Sequence, residues 1–291
     1  RSRCTHSRMS GGALALALGA AVLHALWNVL LAGSRDSVAA TGAMLLFGVV
    51  LLAPAALLAG GDLSSEALPF VVASAVLELA YFVLLARAYR GGELGVVYPV
   101  ARGSAPVLVL GAAVLGLGKG VSWLAALGVV LVAAGVVLLG LASVGRLGRH
   151  MRDADGPHSR DLALGLAIGV AIAGYTLVDS EGLEHADPIP YLFLVTAAVC
   201  VAYCGALLVS GHGRGLGAEL RPKMLLTAAA TFGAYAMVLA ALDMAPAAPV
   251  AAVRESSIVI AALMAWLFLG EERRLGGALV VAAGVALIAY S

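Results

Sequence analysis

The chain has 291 residues, 62% of them hydrophobic and 12% charged, with a net charge of +1 and a mean hydropathy of +1.01. A soluble domain carries roughly 45–50% apolar and about 25% charged residues, so this chain cannot cover itself with a wetted surface and reads as an integral membrane protein. The near-neutral charge points to no nucleic-acid partner, and three cysteines make no disulfide framework.

Residues 1–8, RSRCTHSR, precede the first methionine, Met9, and are set aside as an N-terminal extension with its Cys4. From there, runs of roughly 20 apolar residues mark membrane helices. The first, 11–32, begins like a signal peptide but continues through His24, Trp27 and Asn28, long enough to span. Further spans are expected at 38–59, 68–88, 95–117 and 121–141, then at 162–180, 190–210, 223–242, 247–269 and 274–290. Uninterrupted apolar runs favour helices over a barrel, whose strands would alternate polar and apolar. The long polar stretch from Gly145 to Asp161 separates the fifth span from the sixth.

That break divides two similar halves. ARGSAPVLV (101–109) matches VRESSIVIA (253–261), pairing Arg102 with Arg254 and Ser104 with Ser256. GVVLVAAGVVLL (128–139) likewise matches GALVVAAGVALI (277–288), and HALWNVL (24–30) loosely matches IAGYTLV (172–178). The expected fold is all-α and membrane-integral, with ten transmembrane helices in two inverted five-helix repeats. An odd number of spans per half turns the second copy upside down, the plan of many secondary transporters. The repeats are placed at 9–142 and 162–291, with a polar linker at 143–161.

Basic residues test this count. Of 18 Lys and Arg, 12 fall in the breaks after spans one, three, five, seven and nine, and only Lys119 falls in an opposite break. The positive-inside rule then places the odd breaks in the cytoplasm and both termini outside, although the arginines of the extension argue the reverse.

Several charges sit where lipid or core is expected. Arg102 and Arg254 lie about 11 Å into their helices, too deep to snorkel readily. Glu255 adjoins Arg254, but helix neighbours point about 100° apart, so Glu78 of the third span is the expected further partner. Either these groups form a static ion-pair network or they bind and gate, the default for intramembrane charge. Tyr98, Pro99 and Pro106 flank Arg102, and Pro246 and Pro249 open the matching helix. They fit a broken, substrate-contacting helix or the ordinary use of proline in membranes. His24, Trp27 and Asn28 on the first span, with Tyr175, Thr176 and Asp179 on the sixth, line a pore or bond between helices. Tyr81 and Tyr235 are cavity aromatics or core. Cys200 and Cys204 read as small buried hydrophobes. GHGRGLG (211–217) lacks the strand–helix context of a dinucleotide loop, and GLGKGVS (116–122) lacks the hydroxyl after its lysine. No hydrolytic signature and no metal-ligand spacing are present, so neither enzymatic activity, a metal nor a cofactor is expected.

HALWN (24–28), VVYPVARGSAPVLV (96–109), YTLVDSEG (175–182) and VAAVRESSIVIAALMAWLFLGEE (250–272) together resemble EamA-type members of the drug/metabolite transporter superfamily. The resemblance spans both halves. It implies a multi-pass protein of the cell membrane that moves small metabolites or drugs, often by proton-linked or exchange mechanisms. The acid of LGEE (269–272) fits the family's pattern, whereas LGKG (117–120) carries Lys119 at the corresponding place. The residues expected to meet the small-molecule substrate are Arg102, Arg254, Glu255, Ser256, Glu78, Tyr98, His24, Trp27, Asn28, Tyr175, Asp179, Tyr81 and Tyr235. The arginines would take a carboxylate, and Glu255 and Glu78 would neutralise them or carry a coupling proton. A monomer or homodimer in a lipid bilayer is expected. Efflux of cationic or amphipathic compounds, or a membrane enzyme or sensor, stands as the alternative.

Overall fold

A computed structural model of the chain describes residues 9–32, 34, 36–91, 94–116, 121–150, 159–261, 263 and 275–291. The 1–8 extension, Lys119 and the LGEE string lie outside the described residues, as do Arg35, Arg273 and Arg274.

Among the described residues every regular element is helical. The first half holds α1 (Gly11–Ala32), α2 (Ser37–Ala59), α3 (Leu68–Gly91), α4 (Leu94–Gly111) and α5 (Trp123–His150). The second holds α6 (Ser159–Gly182), α7 (Pro188–Val209), the short α8 (Gly213–Glu219), α9 (Pro222–Met244), α10 (Ala247–Arg254) and α11 (Leu275–Tyr290). Eight of these, α1 to α7 and α9, are long and apolar enough to cross a bilayer, and α11 is apolar but shorter. Leu57 and Leu58, at 84% and 86% exposure, show the outward apolar surface that lipid requires.

Local signals set the helix ends. Val38 and Ala39 donate backbone N–H bonds to Asp36 Oδ1 at 3.0 and 3.2 Å, and Gly60 closes α2 with φ at 54°. Pro188 and Pro222 start α7 and α9, where a missing N–H loses nothing.

The prolines of α4 do not break it. The helix runs through Pro99 and Pro106 to Gly111 and relaxes only afterwards, in a π turn at Ala112–Gly116. The interruption falls in the second half instead, correcting the expected continuous span at 247–269. α10 stops at Arg254, Glu255 and Ser256 form a turn, and helix resumes at Ser257. Glu255 and Ser256 donate backbone N–H bonds to Ala252 and Val253, both at 3.0 Å. These i→i+3 bonds tighten the last turn. Ser256 Oγ adds a bond to the Val253 carbonyl at 2.7 Å, so the break leaves that oxygen satisfied.

Several helix contacts recur when the halves are exchanged. With α6, α7, α9, α10 and α11 standing for α1 to α5, the α1–α9 contact becomes α6–α3 and α4–α6 becomes α10–α1. Likewise α2–α9 becomes α7–α3 and α4–α5 becomes α10–α11, and every one of these contacts occurs. The α5–α11 seam also fixes a direction. A Cβ on Gly128 would stand 2.7 Å from the Gly284 carbonyl oxygen, and one on Gly135 2.9 Å from that of Gly277. Rising numbers on α5 meet falling numbers on α11, so these two matching helices run antiparallel. Small residues let the backbones touch, which is how helices associate tightly in lipid.

Candidate functional site

Five helices surround a cavity whose water-accessible volume is about 60 Å³. α1 presents Ala20, His24 and Trp27, a single face by their spacing of four and three. α3 contributes Glu78, Tyr81 and Phe82, and α6 contributes Tyr175. α9 adds Thr231, Ala234, Tyr235 and Val238, again one helical face, and Arg254 enters at the end of α10. The lining is mainly aromatic and aliphatic, with Glu78, His24 and Arg254 as its titratable or charged groups besides the tyrosines, and small-ligand sites tend to be built this way.

Beside this cavity lies the charged centre. Arg102 Nη1 stands 3.5 Å from Glu255 Oε2, and Arg254 Nη2 stands 3.4 Å from Glu255 Oε1. One carboxylate therefore clasps the two repeat-equivalent arginines, one oxygen to each. Glu255 is 0% exposed, Arg102 3% and Arg254 5%. The expected 100° between neighbours does not keep Glu255 from Arg254: Glu255 caps α10 in right-handed helical backbone, and the long Arg254 side chain meets its carboxylate. Arg254 Nε is buried with no hydrogen-bond partner among the described residues. Each guanidinium also faces a tyrosine ring: Arg102 lies 5.3 Å from the centre of Tyr98, and Arg254 lies 6.0 Å from that of Tyr175. Both fall within cation–π range.

His24 links α1 to this centre. Its Nε2 touches an Arg102 amino group, and Trp27 Nε1 donates to its Nδ1 at 3.1 Å. Trp27, 3% exposed, is thus packed inside the bundle and not at a membrane surface. Asn28 donates to the His24 backbone carbonyl at 2.8 Å, closing on its own helix away from the cavity lining.

Tyr98 and Arg102 line a second, smaller space with Leu85, Ala88 and Ile168, and Tyr81 lines both spaces. Tyr81 and Tyr235 each pack against Tyr175, with ring centres 6.1 and 6.2 Å apart. Asp179 stands behind Tyr235, 0% exposed. It accepts from Tyr235 OH at 2.6 Å and from Tyr191 OH at 3.0 Å. Glu78, from α3, lines the cavity together with Tyr235. Ser256 serves the turn after α10 and does not line the cavity.

Sequence reasoning omits Phe82, Thr231, Val238 and Tyr191. The first three had a signal, since they sit three or four helix positions from Glu78 or Tyr235. Tyr191 had none, because its role depends on how α7 docks.

Membrane-length apolar helices closing around a buried charged centre define a multi-pass integral membrane protein. The EamA-like transporter family model matches residues 11–141 and again 161–290. The chain belongs to that family. A solved structure, described only as "Crystal structure of protein", superposes with a TM-score of 0.67 at 16% identity, covering 95% of this chain and 94% of its own. That likeness concerns the fold. No curated protein gives a match.

Proposed function

We propose that the chain is a secondary carrier of ten spans in two inverted five-helix repeats, divided at the 143–161 linker, that moves a small metabolite by alternating access. The antiparallel α5–α11 seam and the exchange symmetry of the helix contacts support the inverted arrangement. The observation that carries the reading is the clasp of Arg102 and Arg254 by Glu255 at the wall of an aromatic cavity. An ion pair built only for strength is a poor device, since apolar packing does as well. A pair that shares one anion between two cations instead leaves donors for a second anion, and Arg254 Nε is such a donor. An amino acid fits: its carboxylate against Arg254, its ammonium against Glu78, and its side chain among Tyr81, Tyr175 and Tyr235. Other small carboxylates would use the arginine alone. No catalytic role is assigned to any residue.

A thermal-shift screen of the purified chain against amino acids, other carboxylates and cationic compounds identifies the ligand, because binding to the folded state raises apparent stability. Counterflow of that ligand in liposomes then tests carriage. Arg254→Ala is expected to reduce counterflow at least tenfold and Arg102→Ala less, with both variants inserted normally. Unchanged counterflow in both would remove the binding role. A second reading, efflux of cationic amphipathic compounds, draws on Glu78 among aromatic rings. It is favoured if only cations shift the transition.

A further inference from the structure

The connections that join α2 to α3 and α6 to α7 meet beyond the helix ends and pair as a short antiparallel clip. Ser64 donates its backbone N–H to the His185 carbonyl at 3.0 Å, and Asp187 donates to the Asp62 carbonyl at 2.8 Å. Leu63 and Ala186 oppose each other between those two bonds. Asp187 Oδ2 also accepts the Asp62 N–H at 2.8 Å. His185 closes the clip from the side: its ring stacks on Phe70 with centres 5.6 Å apart, and its Nδ1 lies 3.1 Å from Glu66 Oε2. One arm of the clip belongs to the first half of the chain and the other to the second.

A closed column leads from this clip to the cavity. On α3, Phe70, Ser74 and Glu78 follow at intervals of four and so share one face. Phe70 touches the clip, Ser74 is 0% exposed, and Glu78 lines the cavity. Across from them, Gly182 lets Tyr191 and Phe70 close on the end of α6, since a Cβ there would stand 2.6 Å from Tyr191 Cε2 and 2.9 Å from Phe70 Cβ. Tyr191 bonds to Asp179, and Asp179 bonds to Tyr235 of the cavity wall. The cavity is therefore shut on the face where α3 and α7 begin.

Exchanging the halves carries the clip to the opposite face, onto the α7–α9 and α1–α2 connections. There α8 rests on α2, and among the described residues no backbone hydrogen bond joins the two connections. Inverted repeats give alternating access by rocking against each other, so a contact that closes one face in one state opens in the other. The clip is suited to parting. Asp62, Leu63 and Ser64 are exposed, and water replaces a lost N–H partner at little net cost there.

We propose that the Asp62–Ser64 and His185–Asp187 clip is a gate: it holds the cavity closed on this face and parts each time the cavity opens there. The gate rests on the carrier reading, while the pairing of the two connections does not.

Locking and loosening the clip test it. Leu63 and Ala186 form the non-hydrogen-bonded pair of an antiparallel ladder, whose Cα atoms stand about 4.5 Å apart, within reach of a disulfide. Leu63→Cys with Ala186→Cys, oxidised by air with copper phenanthroline, is expected to form that disulfide, read by mass spectrometry of the full chain. Ser64→Pro with Asp187→Ala is expected to loosen the clip. Ser64, at φ −81°, accepts proline without strain and loses only its N–H, and Asp187→Ala removes the acceptor of the Asp62 N–H. Ser74→Cys, a single-atom change beneath the clip, reports opening. In liposomes, a charged, membrane-impermeant methanethiosulfonate should label it at least tenfold more slowly in the locked chain and at least tenfold faster in the loosened one. Counterflow of the amino acid that gives the largest thermal shift should fall at least tenfold in the locked chain and return with dithiothreitol. Each single-cysteine variant should carry like the wild type. A disulfide that does not form, or a locked chain that labels and carries like the unlocked one, overturns the gate. If no variant carries while labelling still follows the lock, carriage is refuted and the parting clip stands.

Discussion

Glu255→Gln removes the anion that both arginines share while keeping side-chain size. At an effective dielectric near 20, a pair about 4 Å apart gains roughly 4 kcal/mol of attraction, and Glu255 makes two such pairs, at 3.5 and 3.4 Å. Burial of all three groups means that little solvent screening discounts this. Removing one partner of a buried pair typically destabilises by about 3–5 kcal/mol, because the remaining charge is left uncompensated. With two guanidiniums stranded, the upper part of that range is expected. This is a shift of roughly a thousandfold to several thousandfold in the unfolding equilibrium. Equilibrium unfolding in mixed micelles reads it directly. Adding Arg102→Met to Glu255→Gln removes one of the stranded cations, so the double variant should be more stable than Glu255→Gln alone. If Glu255→Gln unfolds like the wild type, or if Arg102→Met only deepens its loss, the shared clasp is wrong.

Tyr191→Phe and Tyr235→Phe each delete one donor to Asp179, and each should destabilise by about 1–3 kcal/mol in the same assay, as hydrogen bonds to charged groups do. Equal stability in both variants would mean that Asp179 does not need these donors. Gly135→Ala places a Cβ 2.8 Å from Val281 N and 2.9 Å from Gly277 O, backbone atoms that cannot swing aside. It should lose about 1–3 kcal/mol by overpacking, while Gly205→Ala, with nothing within 4 Å, should lose none.

How far the sequence discloses this molecule depends on which forces write themselves into a string. Membrane integration is legible because hydropathy acts residue by residue. The matching of Arg102 with Arg254, and of Gly128 and Gly135 with Gly277 and Gly284, is legible because a duplicated structure keeps duplicated strings. The turn at Glu255–Ser256 is not. RESS contains neither glycine nor proline, so no residue of the string marks a turn whose backbone N–H groups still bond at 3.0 Å. Proline leaves the string ambiguous, since it fits a broken or an ordinary membrane helix, and α4 is continuous. Pro106 nevertheless has a local consequence: having no N–H, it leaves the Arg102 carbonyl without its usual helix donor. Tyr191 is invisible for a third reason, since its hydroxyl reaches Asp179 only through the docking of α7 on α3.

The halves are asymmetric at the position of Glu255. Gly103 holds the place in α4 that Glu255 holds after α10, and it has no room for a side chain. A Cβ there would lie 2.8 Å from Val137 Cγ2 and 3.3 Å from the Ala133 carbonyl oxygen, because unbroken α4 points this position into α5. Glu255 instead lies between the two guanidiniums, at 3.5 and 3.4 Å. The two positions therefore have different neighbours, and moving the acid alone cannot move the clasp. Gly103→Glu combined with Glu255→Gln conserves the net charge of the centre, so bulk neutrality alone would predict recovery from Glu255→Gln. The packing predicts instead a further loss, as a buried carboxyl is driven against α5. Unfolding of the double variant beside Glu255→Gln decides between them. Recovery toward wild-type stability would show that charge count, and not the turn, holds the two arginines.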